Sequence, residues 1–353
     1  MPQTLPQALL RQAQTRGSAV ALRYKRLGIW QVRTWSELAA DVGGLAAALH
    51  QRGFSGSDDL LIISQARPEA LLLALAAQWL GGSVTLLDPE RDNRTLLAKL
   101  RPAFVLAEDV HAVQQIGEHG VRVYLDGRGL NRLHTAGLIA YADLTTNAPA
   151  PAPACATQTS ALAFVFHTDT TAQLSHAQLL AGARTLITRE HLTSDEEALA
   201  ARVFAASGQA RYLLAPWLHA GFRLNFPEAL ATRDTDRREL GPTLVLGTRE
   251  SYGRLEQWVA ERLPLPGTFS HDLYRWAMQP TSSPVRRWLG HWLVRRPLLD
   301  VLGMSRLRVP LLVGPPLSAQ SAAFFGALGV DPGHWHEPSP RHEATDHLLS
   351  QTV

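Results

Sequence analysis

A chain of 353 residues, 46% hydrophobic and 18% charged, has room for one large or two ordinary domains with a packed core, which excludes global disorder. A formal net charge of only +3 excludes the strong basic excess of a nucleic-acid binder, so no nucleic-acid partner is expected. Cys155 is the single cysteine, which excludes an internal disulfide and suits a reducing, cytoplasmic compartment, and the polar N-terminus MPQTLPQALLRQAQTRG offers no apolar signal region.

In chain order, Arg23 to Val32 alternates apolar and polar residues and reads as a hairpin. Thr34 and Glu37 form a capping box, after which Leu38, Val42, Leu45 and Leu49 share one helical face until Gly53. Asp59 to Ser64 reads as a strand, and Pro68 opens the next helix. The uncharged run Ala70 to Leu87 has about the length of a membrane span. Gly81-Gly82 interrupts it, so it is expected to be a buried helix, a turn and a strand, Ser83 to Asp88. The alternation continues with a helix around Thr95 to Leu100, a strand Phe104 to Ala107, a helix Val110 to Glu118 and a strand Val121 to Leu125. Strands alternating with helices predict an α/β fold with parallel sheets covered by helices. Residues 1–144 form a first α/β half on this reading. Residues 145–159, TTNAPAPAPACATQT, form a stiff linker. Residues 160–330 form a second half, and 331–353 are a polar His- and Pro-rich tail.

After the linker comes LAFVFHTDTTAQLSHAQLL: a buried strand from Leu162, a Thr-rich turn, and a helix starting near Ser175 with the capping box Ser175–Gln178. This is the layout of a phosphate-binding loop, but Thr168 to His176 contains neither glycine nor lysine. Thr168, Thr170, Thr171, Ser175 and His176 are candidates for a residual anion site at the helix start. The alternative is an ordinary turn whose hydroxyls cap the backbone.

Several segments, read in order, resemble the AMP-binding, adenylate-forming enzymes, and among them the long-chain acyl-CoA synthetases. ALRYKRLGIWQVRTWSELAADVGGLAAALHQRGFSGSDDLLI resembles the family's opening, and RPEALLLALAAQWLGGSVTLLDP the helix and strand that follow it. LLAPWLHAGFR resembles a Leu-Pro-Leu-x-His segment, with Pro216 and His219 in place. GPTLVLGTRESYGRLEQWV keeps Pro242, Thr243, Arg249 and Tyr252 of a Pro-Thr…Pro-Arg…Tyr-x-x-Leu segment, and LRVPLLVGPPLSAQSAAFFGALGV keeps Gly314, Pro316, Leu317 and Ser318 of a Gly-Gly-Ala-Pro-Leu-Ser segment. The resemblance implies the large N-terminal domain of such enzymes. It makes Trp217 and His219 candidates for the acyl pocket, Gly314 for the adenine loop, and Glu337 for a remnant of the metal-binding glutamate.

The departures from the family set the functional expectation. The family's phosphate loop reads Thr-Ser-Gly-Thr-Thr-Gly-x-Pro-Lys-Gly, whereas Thr168-Asp169-Thr170-Thr171 here runs almost directly into Leu174-Ser175-His176. Glycines let backbone N–H groups close on phosphate, and lysine neutralises it. No counterpart is found for the Tyr-Gly-x-Thr-Glu segment beyond Glu337, for the ribose-binding aspartate, or for the C-terminal domain with its catalytic lysine. The chain is therefore expected to be a degenerate, truncated relative, inactive in ATP-dependent acyl activation and working by binding an acyl-type ligand or a pathway partner protein. No cofactor is expected, and ATP or AMP with magnesium only if a residual site survives. The alternatives are an active acyl-CoA or acyl-AMP ligase subunit completed by another chain, and a peripheral membrane protein. The last rests on Ser283 to Val309, where Arg286, Arg287, Arg295 and Arg296 flank Trp288 and Trp292, a pattern of a membrane- or partner-facing surface. The tail histidines and carboxylates match no tight zinc spacing.

Overall fold

The computed structural model of the protein describes residues 3–118, 120–130, 137–146, 153–167, 171–201, 204–280 and 283–335. Its strands in chain order are β1 (Val20–Arg26), β2 (Ile29–Thr34), β3 (Asp59–Ile63), β4 (Ser83–Leu87), β5 (Phe104–Ala107), β6 (Val121–Tyr124), β7 (Leu138–Ala140), β8 (Leu162–His167), β9 (Thr171–Ser175), β10 (Glu197–Leu199), β11 (Arg223–Phe226), β12 (Leu244–Gly247), β13 (Val309–Val313) and β14 (Gly333–Trp335). The chain divides into two compact units: Met1–Asp195 with Ala200–Phe226, and Glu196–Leu199 with Pro227–Val353. Residues 145–159 fall inside the first.

The first unit is built on a sheet in the order β7-β6-β5-β3-β4-β8-β9. Every neighbouring pair is parallel except β8 and β9. Leu60 to Ile63 and Phe104 to Ala107 are buried without interruption, as strands covered on both faces must be. The helix Pro68–Trp79 buries every residue except Glu69. It turns through Gly81, at φ +93°, into β4. The apolar run is thus a core helix and a core strand, and no described helix is long and apolar enough to cross a membrane. The expected hairpin is β1–β2, turning at Leu27 and Gly28, both at positive φ, and β11 adds to β1 in parallel. The capping boxes Thr34–Glu37 and Ser175–Gln178 are both formed.

Two local differences from the sequence reading have visible causes. The helix expected over Val110 to Glu118 ends at Val113. Gln115 is buried with its side-chain oxygen accepting from the Asn93 N–H at 2.9 Å, and Gly117 and Gly120 follow, so nothing favours another turn. Of the expected linker, residues 153–159 are anchored by hydrogen bonds to the end of the helix Pro68–Trp79. The Trp79 indole donates to the Pro153 carbonyl at 2.8 Å, and the buried Thr157 hydroxyl donates to the Gln78 carbonyl.

The second unit holds four parallel strands in the order β14-β13-β12-β10. The helices Arg249–Ala260 and Ala319–Leu328 supply Tyr252, Leu255, Val259, Phe325 and Leu328 to a core completed by Leu302, Met304, Leu312 and Val330. Tyr252 meets Phe325 edge to face at 5.1 Å between ring centroids, a favoured aromatic geometry. Phe269–Met278, Pro284–Gly290, a π-helical turn His291–Arg295 and Arg296–Val301 then form a helical excursion before β13.

Candidate functional site

In the first unit, the strand expected before the Thr-rich turn is β8, and a second strand, β9, precedes the helix. β8 and β9 pair antiparallel from Leu162↔Ser175 to His167↔Thr171. Residues 168–170 connect the two strands in sequence, and Thr168 and Thr170 lie outside the described residues. Thr171 is exposed, its hydroxyl 3.3 Å from His167 Nδ1. Ser175 is the N-cap of the helix His176–Glu190. Its hydroxyl accepts from the Gln178 N–H at 3.2 Å and donates to Gln178 Oε1 at 3.1 Å, while its own N–H donates to the same oxygen at 2.9 Å. The cap groups are closed on one another.

His176, the first helical residue, faces the N-terminal helix. It is fully buried, and its Nδ1 accepts the Leu5 N–H at 3.2 Å. Burial pushes its pKa down to about 4, because the charged form would leave water without a countercharge. An imidazole that accepts at Nδ1 carries its proton at Nε2, and that atom has no hydrogen-bond partner. His176 thus ties the helix Leu5–Arg16, capped by the box Thr4–Gln7, to the body of the unit.

The segment 213–223 forms the helix Ala215–Ala220 behind a π-helical turn, Ala210–Leu214. Trp217 is fully buried, donates its indole N–H to the Ala21 carbonyl at 3.0 Å, and stacks on Trp35 with centroids 5.1 Å apart. His219 is half-buried. Its carbonyl accepts from Arg11 and Gln12 at 2.8 and 3.0 Å, and its Nδ1 has no hydrogen-bond partner. Burial, then the nearby Arg11 and Arg184, hold its pKa below the ordinary value. Trp217 is therefore a core residue, and only His219 of this pair keeps a polar edge.

One feature of this unit had no simple motif. Connections leave β3 and β5, neighbours in the sheet, toward opposite edges, the geometry that opens a crevice at strand ends in α/β folds. Glu108, just after β5, accepts from the Gln65 N–H at 2.6 Å, the Ser64 hydroxyl at 3.2 Å and Arg67 at 3.1 Å, so the chain's own groups engage one another at this end of the sheet.

In the second unit, Gly314 follows β13 with φ +91°, a conformation that suits glycine, and its carbonyl accepts from His334 Nε2 at 2.6 Å. Ser318 caps the helix Ala319–Leu328. Its hydroxyl donates to Ser321 Oγ at 2.8 Å, which donates to the buried Glu256 at 2.6 Å. Beside these groups lies an open depression of about 490 Å³ lined by Arg249, Glu250 and Gln257 among others. Glu337 lies outside the described residues. Among the described residues no group of three or more His, Cys, Asp or Glu could hold a metal ion. Of the basic segment, Arg286 and Arg295 are half-buried, while Arg287, Arg296, Trp288 and Trp292 are exposed.

An α/β chain of parallel sheets flanked by helices, carrying these segments in this order, defines an adenylate-forming class of fold. A family model for AMP-binding enzymes matches residues 9–333, and the chain belongs to that family. Over 88 residues it is 36% identical to a fatty acid–[acyl-carrier-protein] ligase, MmaC, of Mycobacterium marinum, a stretch that covers 25% of this chain and 16% of that protein. Among solved structures, it is similar to the adenylation domain of a carboxylate reductase from Mycobacterium chelonae, with a TM-score of 0.73 at 16% identity over 96% of this chain and 58% of that one. It is also similar to a fatty acyl-adenylate ligase from L. pneumophila in complex with acyl adenylate and pyrophosphate, with a TM-score of 0.66 at 10% identity over 92% of this chain and 52% of that one. The chain thus spans little more than half the length of these two structures.

Proposed function

We propose that this member of the AMP-binding family does not itself activate carboxylates with ATP, and acts by binding an acyl-type ligand or a protein partner of acyl transfer. The observation that carries the reading is the β8–β9 hairpin. With His167 paired to Thr171, three residues must turn the chain, and none of them is glycine or lysine. A loop that short, with Asp169 in it, has too little backbone to wrap a triphosphate and no cation to neutralise one. The remaining residues do not fit a nucleotide either. Ser175 is closed on its own cap, and His176 faces the N-terminal helix. The carbonyl of Gly314 already accepts from His334. The acyl class of ligand is supported by the stretch shared with the Mycobacterium marinum ligase, whose name specifies a fatty acid and an acyl-carrier protein.

ATP–pyrophosphate exchange by the purified chain, with a panel of fatty and aryl acids, tests the reading. The expected result is exchange no greater than without enzyme for every acid. Acid-dependent exchange by the chain alone would overturn it.

A further inference from the structure

The second unit carries a surface that its core does not use. From Glu261 to Val301 only Ala277 and Gly290 are buried among the described residues. Eight of the thirteen exposed large hydrophobics of the described chain lie between Leu265 and Val301, Phe269 at 82%, Trp288 at 61% and Leu293 at 56% exposure among them. Single exposed apolar residues are ordinary, but a concentration of them marks a contact surface.

The excursion is held in a defined shape. Gly290 packs so closely on the preceding helix that a Cβ there would lie 3.3 Å from Ala277 Cα. Arg286 donates to the Trp276 carbonyl at 2.7 Å and to Gln279 Oε1 at 3.0 Å. Arg295 donates twice to the Ala277 carbonyl, at 3.0 and 2.6 Å. These carbonyls belong to the last turn of Phe269–Met278, where a helix leaves its acceptors unpaired and favours cations. Two of the four arginines in the sequence pattern therefore hold the hairpin together. Arg287 and Arg296 stay exposed, the second with its guanidinium 4.3 Å over the Trp292 ring.

The charge of the surface selects its partner. Between Leu265 and Val301 there are five arginines and two aspartates, with no lysine or glutamate. Helices of seven and six residues cannot span a bilayer but can lie in its interface, where tryptophan rings and arginine heads both find suitable surroundings. We propose that this helical hairpin is a docking surface for an anionic lipid bilayer. Trp288, Trp292 and Leu293 enter the headgroup region, and Arg287 and Arg296 meet the lipid phosphates. The proposal rests on this surface alone and stands whichever way the exchange assay falls.

Flotation of the full chain with vesicles tests it. Vesicles of phosphatidylcholine with a phosphatidylglycerol fraction should carry the protein, and phosphatidylcholine alone should carry far less. At about 1 kcal/mol per arginine near an anionic surface, the Arg287→Ala/Arg296→Ala variant should bind roughly 30-fold more weakly. The Trp288→Ala/Trp292→Ala variant should lose at least about tenfold through lost apolar contact, with an unchanged far-ultraviolet circular dichroism spectrum. Lipids brominated in the acyl chains should quench the wild type more than the Trp288→Phe/Trp292→Phe variant. No flotation with either vesicle, equal flotation with both, or flotation indifferent to the tryptophan pair would each overturn the proposal and leave the surface to another occupant, such as an acidic protein.

Discussion

The start of the helix His176–Glu190 and the hairpin of residues 265–301 use similar chemical groups in opposite ways. At the first, Ser175 is tied into its own capping box, and the imidazole of His176 is buried against the N-terminal helix. Nearby in sequence, Trp217 is stacked and hydrogen-bonded in the core. At the second, tryptophans and arginines face outward, and only the groups that fix the turn are engaged. Ser175, His176 and Trp217 are engaged within the fold, whereas the segment whose Arg/Trp pattern stood out in the sequence presents Trp288, Trp292, Arg287 and Arg296 to the surroundings. Polar residues kept from a catalytic family are not by that fact a site; what decides is whether their hydrogen-bonding atoms remain available.

Three variants sharpen or break this contrast. The largest effect belongs to Trp217→Ala, which opens a cavity beside Trp35 and strands the Ala21 carbonyl. A loss of about 3–5 kcal/mol is expected in urea unfolding followed by circular dichroism. A loss under about 1 kcal/mol would mean that this tryptophan is not the core residue described.

The next concerns pH. His176 has a folded-state pKa of about 4, below the unfolded value of 6.5, so the unfolded chain binds the proton more readily. Its stabilising contribution is complete above pH 6.5 and is lost as pH falls toward 4, at up to roughly 1 kcal/mol per pH unit. Unfolding midpoints of wild type and His176→Gln, compared between pH 7 and 4, should converge as the pH falls. Midpoints that run parallel through this range would show that the imidazole is not buried neutral.

The smallest effect is expected from Trp288→Ala with Trp292→Ala, which should shift stability by no more than about 0.5 kcal/mol, as surface substitutions do. A larger loss in thermal unfolding would place these rings in a core contact and erase the difference between the two regions.

Much of the fold was legible because its elements carry local signals. Gly81-Gly82 divides the apolar run, Thr34 and Ser175 announce helix starts, and Phe104–Ala107 is apolar throughout. The N-terminal helix also had its signal, Thr4-Leu5-Pro6-Gln7, a capping box with proline at the start, in a stretch read only for the lack of a leader. What local patterns could not carry are the engagements made at a distance. That Glu108 would accept from Arg67, that Arg295 would clamp the Ala277 carbonyl, or that Trp217 would face the core depends on which surfaces the topology brings together. The lack of glycine and lysine at residues 168–170 was legible in the sequence, but the antiparallel pairing of the strands on either side required the register of β8 with β9.

The bond from the Leu5 N–H to His176, 171 residues later, and those from Arg11 and Gln12 to the His219 carbonyl have a consequence in time. The first helix leaves the ribosome before any of its acceptors has been made. The helix also packs on Trp35–Gln51 and Pro68–Trp79, made soon after it, so its apolar face can lodge early and only these hydrogen bonds wait for residues 176 and 219. This helix can thus settle on its neighbours in sequence well before it is pinned, and the polar ties to His176 and His219 close late.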